Sequence, residues 1–555
     1  MSARAAQRSR RVPSLVGYSL AIALALTLPC AASAQEASKP LPSFAELEAA
    51  GATVGEIRIV NHDIFDTNDP KEDNLLFRMA NALHIQTRAG VIKRALLFQS
   101  GDPLSVRLID ESERVLRSVR YLYDVQFRAV AYHDGVVDIE VETRDTWSID
   151  PGASVSRAGG ANSSGIHLKE YNLLGSGVSV GYGRSNSVDR SSNEFAFANE
   201  RAFGTWTSLS YSHALNSDGR LDAASVVRPF YALDSRWAAG VTASKDNRID
   251  SIYNAGNIVS QYRHRQDKGE VFGGWSPGLV NGWVHRYSLG VSVQNDAFAL
   301  DPGRIAPAQL PADEKLVAPF VRYELIEERY QKLQNRNLMA RPEFFALGFA
   351  STLQLGYAST AFGSSHDALL YSGSVSQGFE PAPTQTLIGS AAISGQYADG
   401  HVRRQQFGGQ AQYYVPHDKR WLFYLAASGD MLTNPDPADS LLLGGDTGLR
   451  GYPLRYQSGD RRALFTVEER VYTDLYVLRL FRIGGAVFFD SGRAWGGSNA
   501  NTVNPGWLND AGFGLRIVSV RSAFSNVLHV DVAFPLNPTA DVKKVQFLFK
   551  TKASF

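Results

Sequence analysis

Cysteine is almost entirely missing. The single copy, Cys30, falls just after a short apolar stretch near the N-terminus. A disulfide framework and a thiol site are therefore excluded from the rest of the chain. Long apolar runs are missing too. Apart from residues 16–28, nothing approaches the roughly 18 uninterrupted apolar residues of a membrane helix. No charge sign dominates, with 56 Lys and Arg against 55 Asp and Glu, so there is no large basic field of the kind that binds nucleic acid. The eleven histidines are scattered, without a His-Glu-x-x-His or helical His-x-x-x-His pair. No Gly-x-Ser-x-Gly elbow is found, and the glycine-rich stretch 444–451 lacks the Lys-Ser/Thr of a phosphate loop. These absences argue against an enzyme, a metal centre or a cofactor.

What is present begins with a basic N-terminus of Arg4, Arg8, Arg10 and Arg11. The apolar run 16–28 and Ala32-Ser33-Ala34 follow. This pattern predicts a secretory signal peptide over 1–34. Residues 35–53, rich in Ala, Ser, Pro and Glu, read as a linker with room for one helical turn. The full chain is rich in aromatics and glycine, with 29 Phe, 23 Tyr and 49 Gly, nearly all of them beyond this linker. A secreted chain of that kind with no long apolar run suits a membrane β-barrel, whose lipid face is supplied by every second residue.

Residues 54–147 mix periods. Residues 56–60 alternate as a strand, and 75–85 are apolar at helical spacing. Residues 91–98 fit either state on periodicity alone. After Gly101-Asp102-Pro103, the residues Leu104, Leu108, Val115, Leu116, Val119 and Leu122 mark an amphipathic helix. Residues 125–131 and 137–141 form strands around the turn His133-Asp134-Gly135. The order strand, helix, helix, strand, strand makes a small two-layer α+β domain. The Gly101-Asp102 break, Glu113-Arg114-x-Leu116-Arg117, Tyr121-Leu122-Tyr123-Asp124-Val125 and the Gly135 hairpin resemble a POTRA domain, the periplasmic module of outer-membrane assembly barrels. That resemblance implies a helix over 91–98.

From residue 148 to 555 the helical period disappears. Val178, Val180 and Tyr182 alternate with Ser179, Gly181 and Gly183. Thr207, Leu209, Tyr211 and His213 alternate with Ser208, Ser210 and Ser212. Clusters such as Asn216-Ser217-Asp218-Gly219 punctuate the runs. A mainly β fold follows: a transmembrane antiparallel β-barrel over 148–555. At about 25 residues per strand, turns included, it would hold about sixteen strands.

Near the end stands Gly444-Gly445-Asp446-Thr447-Gly448-Leu449-Arg450-Gly451-Tyr452-Pro453. Its glycines permit a tightly folded loop, and Arg450 inside a barrel would need a carboxylate. In Phe488-Phe489-Asp490-Ser491-Gly492, the residues Phe488, Asp490 and Gly492 share one face, while Val487 and Phe489 share the other. With the apolar pair toward lipid, Asp490 faces the lumen and is the candidate partner of Arg450. On the preceding strand Thr466, Glu468, Arg470 and Tyr472 share the lumen face. Glu469 is thereby directed at lipid, which requires a bulge or a position near the headgroups.

Leu449-Arg450-Gly451-Tyr452 resembles the [V/L]-R-G-[F/Y] tip of the sixth outer loop in the BamA/TamA-like superfamily of outer-membrane barrels (bacterial surface antigen type). Phe488-x-Asp490-x-Gly492 resembles that superfamily's partner motif, and the Glu468-x-Arg470 strand and terminal Phe555 also match. The departures are Leu449 for the commoner Val, a weak terminal strand signal, and a single POTRA-like domain. The resemblance implies an outer-membrane barrel with its POTRA-like domain in the periplasm. Its first and last strands, about 148–158 and 543–555, would be weakly paired. It further implies insertion or translocation of other polypeptides. Partners would be unfolded outer-membrane or secreted clients, outer-membrane lipid, and periplasmic chaperones or lipoproteins. Two alternatives are a two-partner-type secretion transporter for a dedicated exoprotein, and a passive channel or surface antigen.

Overall fold

The computed structural model describes residues 41–497, 506–523 and 526–552. The predicted signal peptide and Phe555 lie outside them. A small α+β domain comes first. Helix α1 (Phe44–Ala49) starts at a capping box between Ser43 and Glu46. Strand β1 (Thr53–His62) follows, then α2 (Leu75–Leu83), α3 (Ala89–Lys93), α4 (Val106–Ser118), β2 (Leu122–His133) and β3 (Val136–Asp145). The sheet order is β1-β3-β2, with β1 parallel and β2 antiparallel to β3. Asp134 and Gly135 take the left-handed conformation that a tight β2–β3 turn requires.

Val137, Ile139 and Val141 alternate into the core and meet Val91, Ile92, Ile109 and Leu116 from the helices. Each such buried aliphatic side chain is worth roughly 1.5–3 kcal/mol. Leu47 of α1 joins the same core, so the end of the 35–53 segment packs onto this domain. The 91–98 stretch is a short helix, α3, followed by irregular chain.

The remainder closes into an antiparallel barrel. It begins with β4 (Ile149–Ala158) and ends with strand Gln546–Lys552. Among the described residues twenty strands form the ring, not the sixteen expected. A two-residue strand, Leu279–Val280, hangs outside it. The miscount came from the turns. Several are only two residues long, such as 159–160, 217–218, 255–256 and 399–400. The 404 residues from Ile149 to Lys552 thus give about twenty per strand rather than 25.

Alternation sorts the wall into two faces. Phe465, Val487, Phe489, Phe513, Leu515 and Phe547 are exposed on the outside. Glu468, Arg470, Asp490, Asp510, Arg516 and Asp531 are buried inside. An apolar exterior around a polar lumen is stable in lipid, and closure leaves few backbone groups bare there. Glu469 needs no bulge, because the pairing with strand Trp421–Thr433 runs through it without a shift. It lies beside the short turn at 417–420, with His417 Nε2 3.5 Å away, so it sits near the end of the wall.

Closure is uneven. β4 pairs along its whole length with strand Ala161–Glu170. Against Gln546–Lys552, among the described residues, it pairs only through Arg157 and Phe549.

The α+β domain sits at one mouth. Arg107 pairs with Asp234, and Glu111 accepts a 2.8 Å bond from Leu233 N. Lys332 Nζ lies 2.7 Å from Glu113. At the same mouth the connection 328–349 carries a hairpin of Tyr330–Gln334 with Pro342–Ala346. It folds into the lumen, where Met339, Phe345 and Leu347 pack with Tyr414, Leu422, Tyr424 and Tyr472.

Candidate functional site: a loop fastened inside the barrel

The loop between strands Trp421–Thr433 and Arg461–Val477 enters the lumen from the mouth opposite the domain. A short ladder of Leu441–Leu443 with Gln457–Gly459 forms its stem. Leu449 and Tyr452 are fully buried with Leu443, Tyr456, Ala494 and Leu508. This apolar packing holds the tip in place, and Arg450 supplies its direction.

Arg450 is 4% exposed. Its Nε donates to Asp490 Oδ2 at 2.7 Å and Nη2 to Asp490 Oδ1 at 2.9 Å. Nη1 donates to Glu468 Oε1 at 2.8 Å, with Asp531 Oδ2 3.7 Å away. The guanidinium lies over the Phe488 ring, 3.4 Å from its centroid. Phe488 and Asp490 are two residues apart on one strand, so the same face supplies both the ring and the carboxylate. Thr466 Oγ1 donates to Asp490 Oδ1 at 2.8 Å. Glu468 Oε2 receives Arg470 Nε at 2.8 Å.

Two glycines make room. A Cβ on Gly451 would stand 2.6 Å from Asp510 Cβ, while its own N–H donates to Asp510 Oδ2 at 3.0 Å. A Cβ on Gly492 would come 3.2 Å from Leu443 of the loop stem and 3.1 Å from Ala463 O. Beyond the tip, Tyr452 OH reaches Asn509 O at 3.2 Å, and Leu454 N donates to Gly159 O at 3.1 Å. Asp510 belongs to strand Leu508–Ser519 and Gly159 to the turn after β4. The loop therefore crosses the weakly paired seam from inside and grips the wall on both sides of it.

The sequence residues Leu449, Arg450, Gly451, Tyr452, Glu468, Arg470, Phe488, Asp490 and Gly492 thus lie together. Asp510, Arg516 and Asp531 were not singled out. Asp510 stands opposite Asp490 in register, and Arg516 is bonded to Asp531. Their signal was available in the alternation of His529 and Asp531 with Val530 and Val532. Three arginines and four carboxylates share this cluster, and Lys552 of the last strand lies within their field. Like charges on facing strands repel, and Arg450 is placed where it offsets that repulsion.

The 328–349 hairpin is a second element that sequence reasoning missed. Arg470 Nη1 donates to Arg336 O at 3.1 Å and Tyr472 OH to the same oxygen at 2.8 Å. Tyr414 OH donates to Asn337 Oδ1 at 3.0 Å. Arg470 bonds the hairpin directly and the loop through Glu468, which also receives Arg450, so one hydrogen-bonded chain links the loop from one mouth to the hairpin from the other. The only hint in the sequence is a polar Gln, Asn and Arg stretch far longer than the neighbouring turns.

No family model matches this chain, and no curated protein does. Among solved structures it is similar to BamA from Haemophilus ducreyi lacking POTRA domains 1–3, at 13% identity and a TM-score of 0.38, over 89% of this chain and 84% of that one. It is also similar to CdiB from Acinetobacter baumannii, at 13% identity and a TM-score of 0.44, over 90% and 73% of the two chains. CdiB from Escherichia coli gives 14% identity and a TM-score of 0.47, over 90% and 76%. At such values these likenesses assign this chain no function.

Proposed function

We propose that this chain is a non-enzymatic outer-membrane barrel that helps other polypeptides into or across that membrane, with its α+β domain in the periplasm. The observation that carries the reading is the seam, where, among the described residues, β4 and Gln546–Lys552 pair in register only at Arg157 and Phe549. An unpaired strand edge in lipid is costly. A client strand that completes the missing hydrogen bonds lowers that cost for itself and for the barrel, which is β-augmentation within the membrane. The edge of the β1-β3-β2 sheet offers the same pairing to an extended client before it reaches the seam. The loop held by Arg450 spans the seam and keeps it shut between clients.

A second reading is passage through the lumen, as in a secretion transporter for a dedicated exoprotein. The width of a twenty-strand barrel favours it. It requires both the Arg450 loop and the 328–349 hairpin to withdraw. A passive channel fits poorly with a lumen filled from both mouths.

A disulfide across the seam separates the two. Arg157→Cys with Phe549→Cys places thiols on facing residues, and Cys30 is the only natural cysteine. Insertion through the seam predicts that oxidation abolishes the appearance of newly made outer-membrane proteins and that reductant restores it. Transport that continues with the seam sealed would favour the lumen route.

A further inference from the structure

Helix α2 crosses the foot of the seam. Just before it, Arg521 donates to Ile64 O at 3.1 Å and pairs with Glu72. Arg521 lies in the turn between strands Leu508–Ser519 and Val527–Pro535. Just after α2, Arg88 N donates to Gly175 O at 3.0 Å, and Arg88 Nε to Leu174 O at 3.1 Å. Those carbonyls lie in the turn between Ala161–Glu170 and Val178–Asn186. The strands between these two turns include both partners of the seam.

The helix is fastened by one face only. Phe77 is buried and stacks on Phe65 at 3.9 Å, beside Trp147 and Leu480. Leu75, Met79 and Leu83 are spaced four apart and form a stripe on the other side, widened by Leu76. All four are exposed, Leu75 at 75% and Leu83 at 68%. Arg78, also exposed and paired with Asp73 at 2.7 Å, borders the stripe. Among the described residues, nothing in the domain covers this face.

The turns of the same mouth repeat the pattern. Leu174, Phe203 and Leu478 each adopt a left-handed backbone, at φ of 53°, 58° and 52°. That conformation disfavours large side chains, and glycine or asparagine is the usual occupant. All three side chains are exposed, Phe203 at 83%. Among the described residues at the opposite mouth, the non-glycine residues in this conformation include Ala255, Asp399, Asn434 and Arg455, with no large apolar among them. Strained, exposed apolar residues confined to one rim fit an apolar medium at that rim. The outer wall above them, with Phe481 and Val477 exposed next to Leu478, continues into the same medium.

We infer that α2 is an interfacial helix, with the Leu75, Leu76, Met79 and Leu83 face embedded in the periplasmic phospholipid leaflet at the base of the seam. The rim residues Leu174, Phe203 and Leu478 anchor beside it, and Arg78 lies at the phosphate level. This rests on the reading that the barrel spans a membrane with the domain on the periplasmic side. An apolar helix face seated in the leaflet is held by the same burial that holds monotopic helices, with basic residues at its margin. The helix would then pin the domain to the bilayer where a client edge would form.

The test uses the nearly cysteine-free chain. Met79→Cys, Leu83→Cys, Val487→Cys on the outer wall and Asp134→Cys at the β2–β3 turn are each labelled with an environment-sensitive fluorophore. The full mature barrel is placed in phosphatidylethanolamine–phosphatidylglycerol vesicles. Positions 79 and 83 should be quenched by doxyl-labelled lipid, as position 487 is. They should also be shielded from aqueous iodide by about threefold or more relative to position 134. Iodide access equal to that at 134, with 487 still quenched by lipid, would overturn the inference alone. Shielding that appears only after an unfolded barrel protein is added would also overturn it, making the face a client dock. Failure of quenching at 487 would instead overturn the membrane reading itself.

Discussion

Arg450 and Asp490 meet edge to edge, with two parallel hydrogen bonds of 2.7 and 2.9 Å closing a fork inside the barrel wall. Both are almost fully buried, so neither charge has water to fall back on. Removing one partner leaves the other uncompensated, at a cost of about 3–5 kcal/mol. Arg450→Ala and Asp490→Ala should each lower the denaturant midpoint of the folded barrel in detergent, read by tryptophan fluorescence. Arg450→Lys should recover little, because a point charge cannot hold Asp490 bidentately and Glu468 at once. The double charge swap should not rescue either. It would set a new carboxylate beside Glu468 and Asp531. Single variants with wild-type midpoints would remove the lock from the proposal.

Gly451→Ala tests the same loop without touching a charge. The added methyl meets Asp510 Cβ at 2.6 Å, so the tip must lift or the strand must shift. Overpacking of that kind costs about 1–3 kcal/mol. The loop should become cleavable by external protease in the variant and stay resistant in the parent. Equal resistance in both would mean that the tip has slack the geometry does not show.

Two local rules made Asp490 the candidate partner of Arg450, and the resemblance of both motifs to those of a known superfamily made the pairing specific. Glycines free the loop backbone to fold tightly, and period-two alternation places Asp490 opposite Val487 and Phe489. Glu468 and Arg470 follow from the same rule. Strand number was not legible, since a two-residue turn such as Asp399-Gly400 is short enough to vanish between runs that are themselves imperfectly alternating. The 328–349 hairpin was hidden for a different reason. Its first strand sets the half-buried Leu333 among Gln331, Lys332 and Gln334, with Lys332 reaching out to Glu113 of the α+β domain, so in the sequence it looks like solvated loop. Its place depends on Tyr414, Arg470 and Tyr472, which are remote in sequence.

That hairpin should behave as a stopper for the domain-side mouth. Replacing 330–346 with a short Gly-Ser linker removes the packing of Met339 and Phe345 on Tyr414 and Tyr424. Planar-bilayer conductance should rise severalfold, while the barrel still forms, because no ring strand is lost. Tyr472→Phe, which deletes one 2.8 Å bond to Arg336 O, should give short openings at a cost of about 1 kcal/mol. Unchanged conductance after the deletion would show that the Arg450 loop alone closes the lumen.

The outer end of the loop carries a pH-dependent tether. Arg455 holds Asp189 by two bonds of 2.7 and 2.6 Å, and Tyr253 OH adds a third at 3.0 Å. The bond from Arg455 is the main cause that holds the Asp189 carboxyl below its usual range. A group with a depressed folded-state pKa stabilises fully above its free-chain value of about 4 and loses that contribution as pH falls through the lowered value. Asp189 is 38% exposed, so solvent screening limits the effect to about 1 kcal/mol or less. Hydrogen exchange at 452–456, corrected for intrinsic rates, should be unchanged between neutral pH and about 5, then quicken by up to about fivefold near pH 3. Asp189→Asn should show the faster exchange at every pH. A parent chain whose protection stays flat down to pH 3 would place the hold on this end of the loop elsewhere, in the Leu454–Gly159 bond and the packing of Tyr452 on Tyr456.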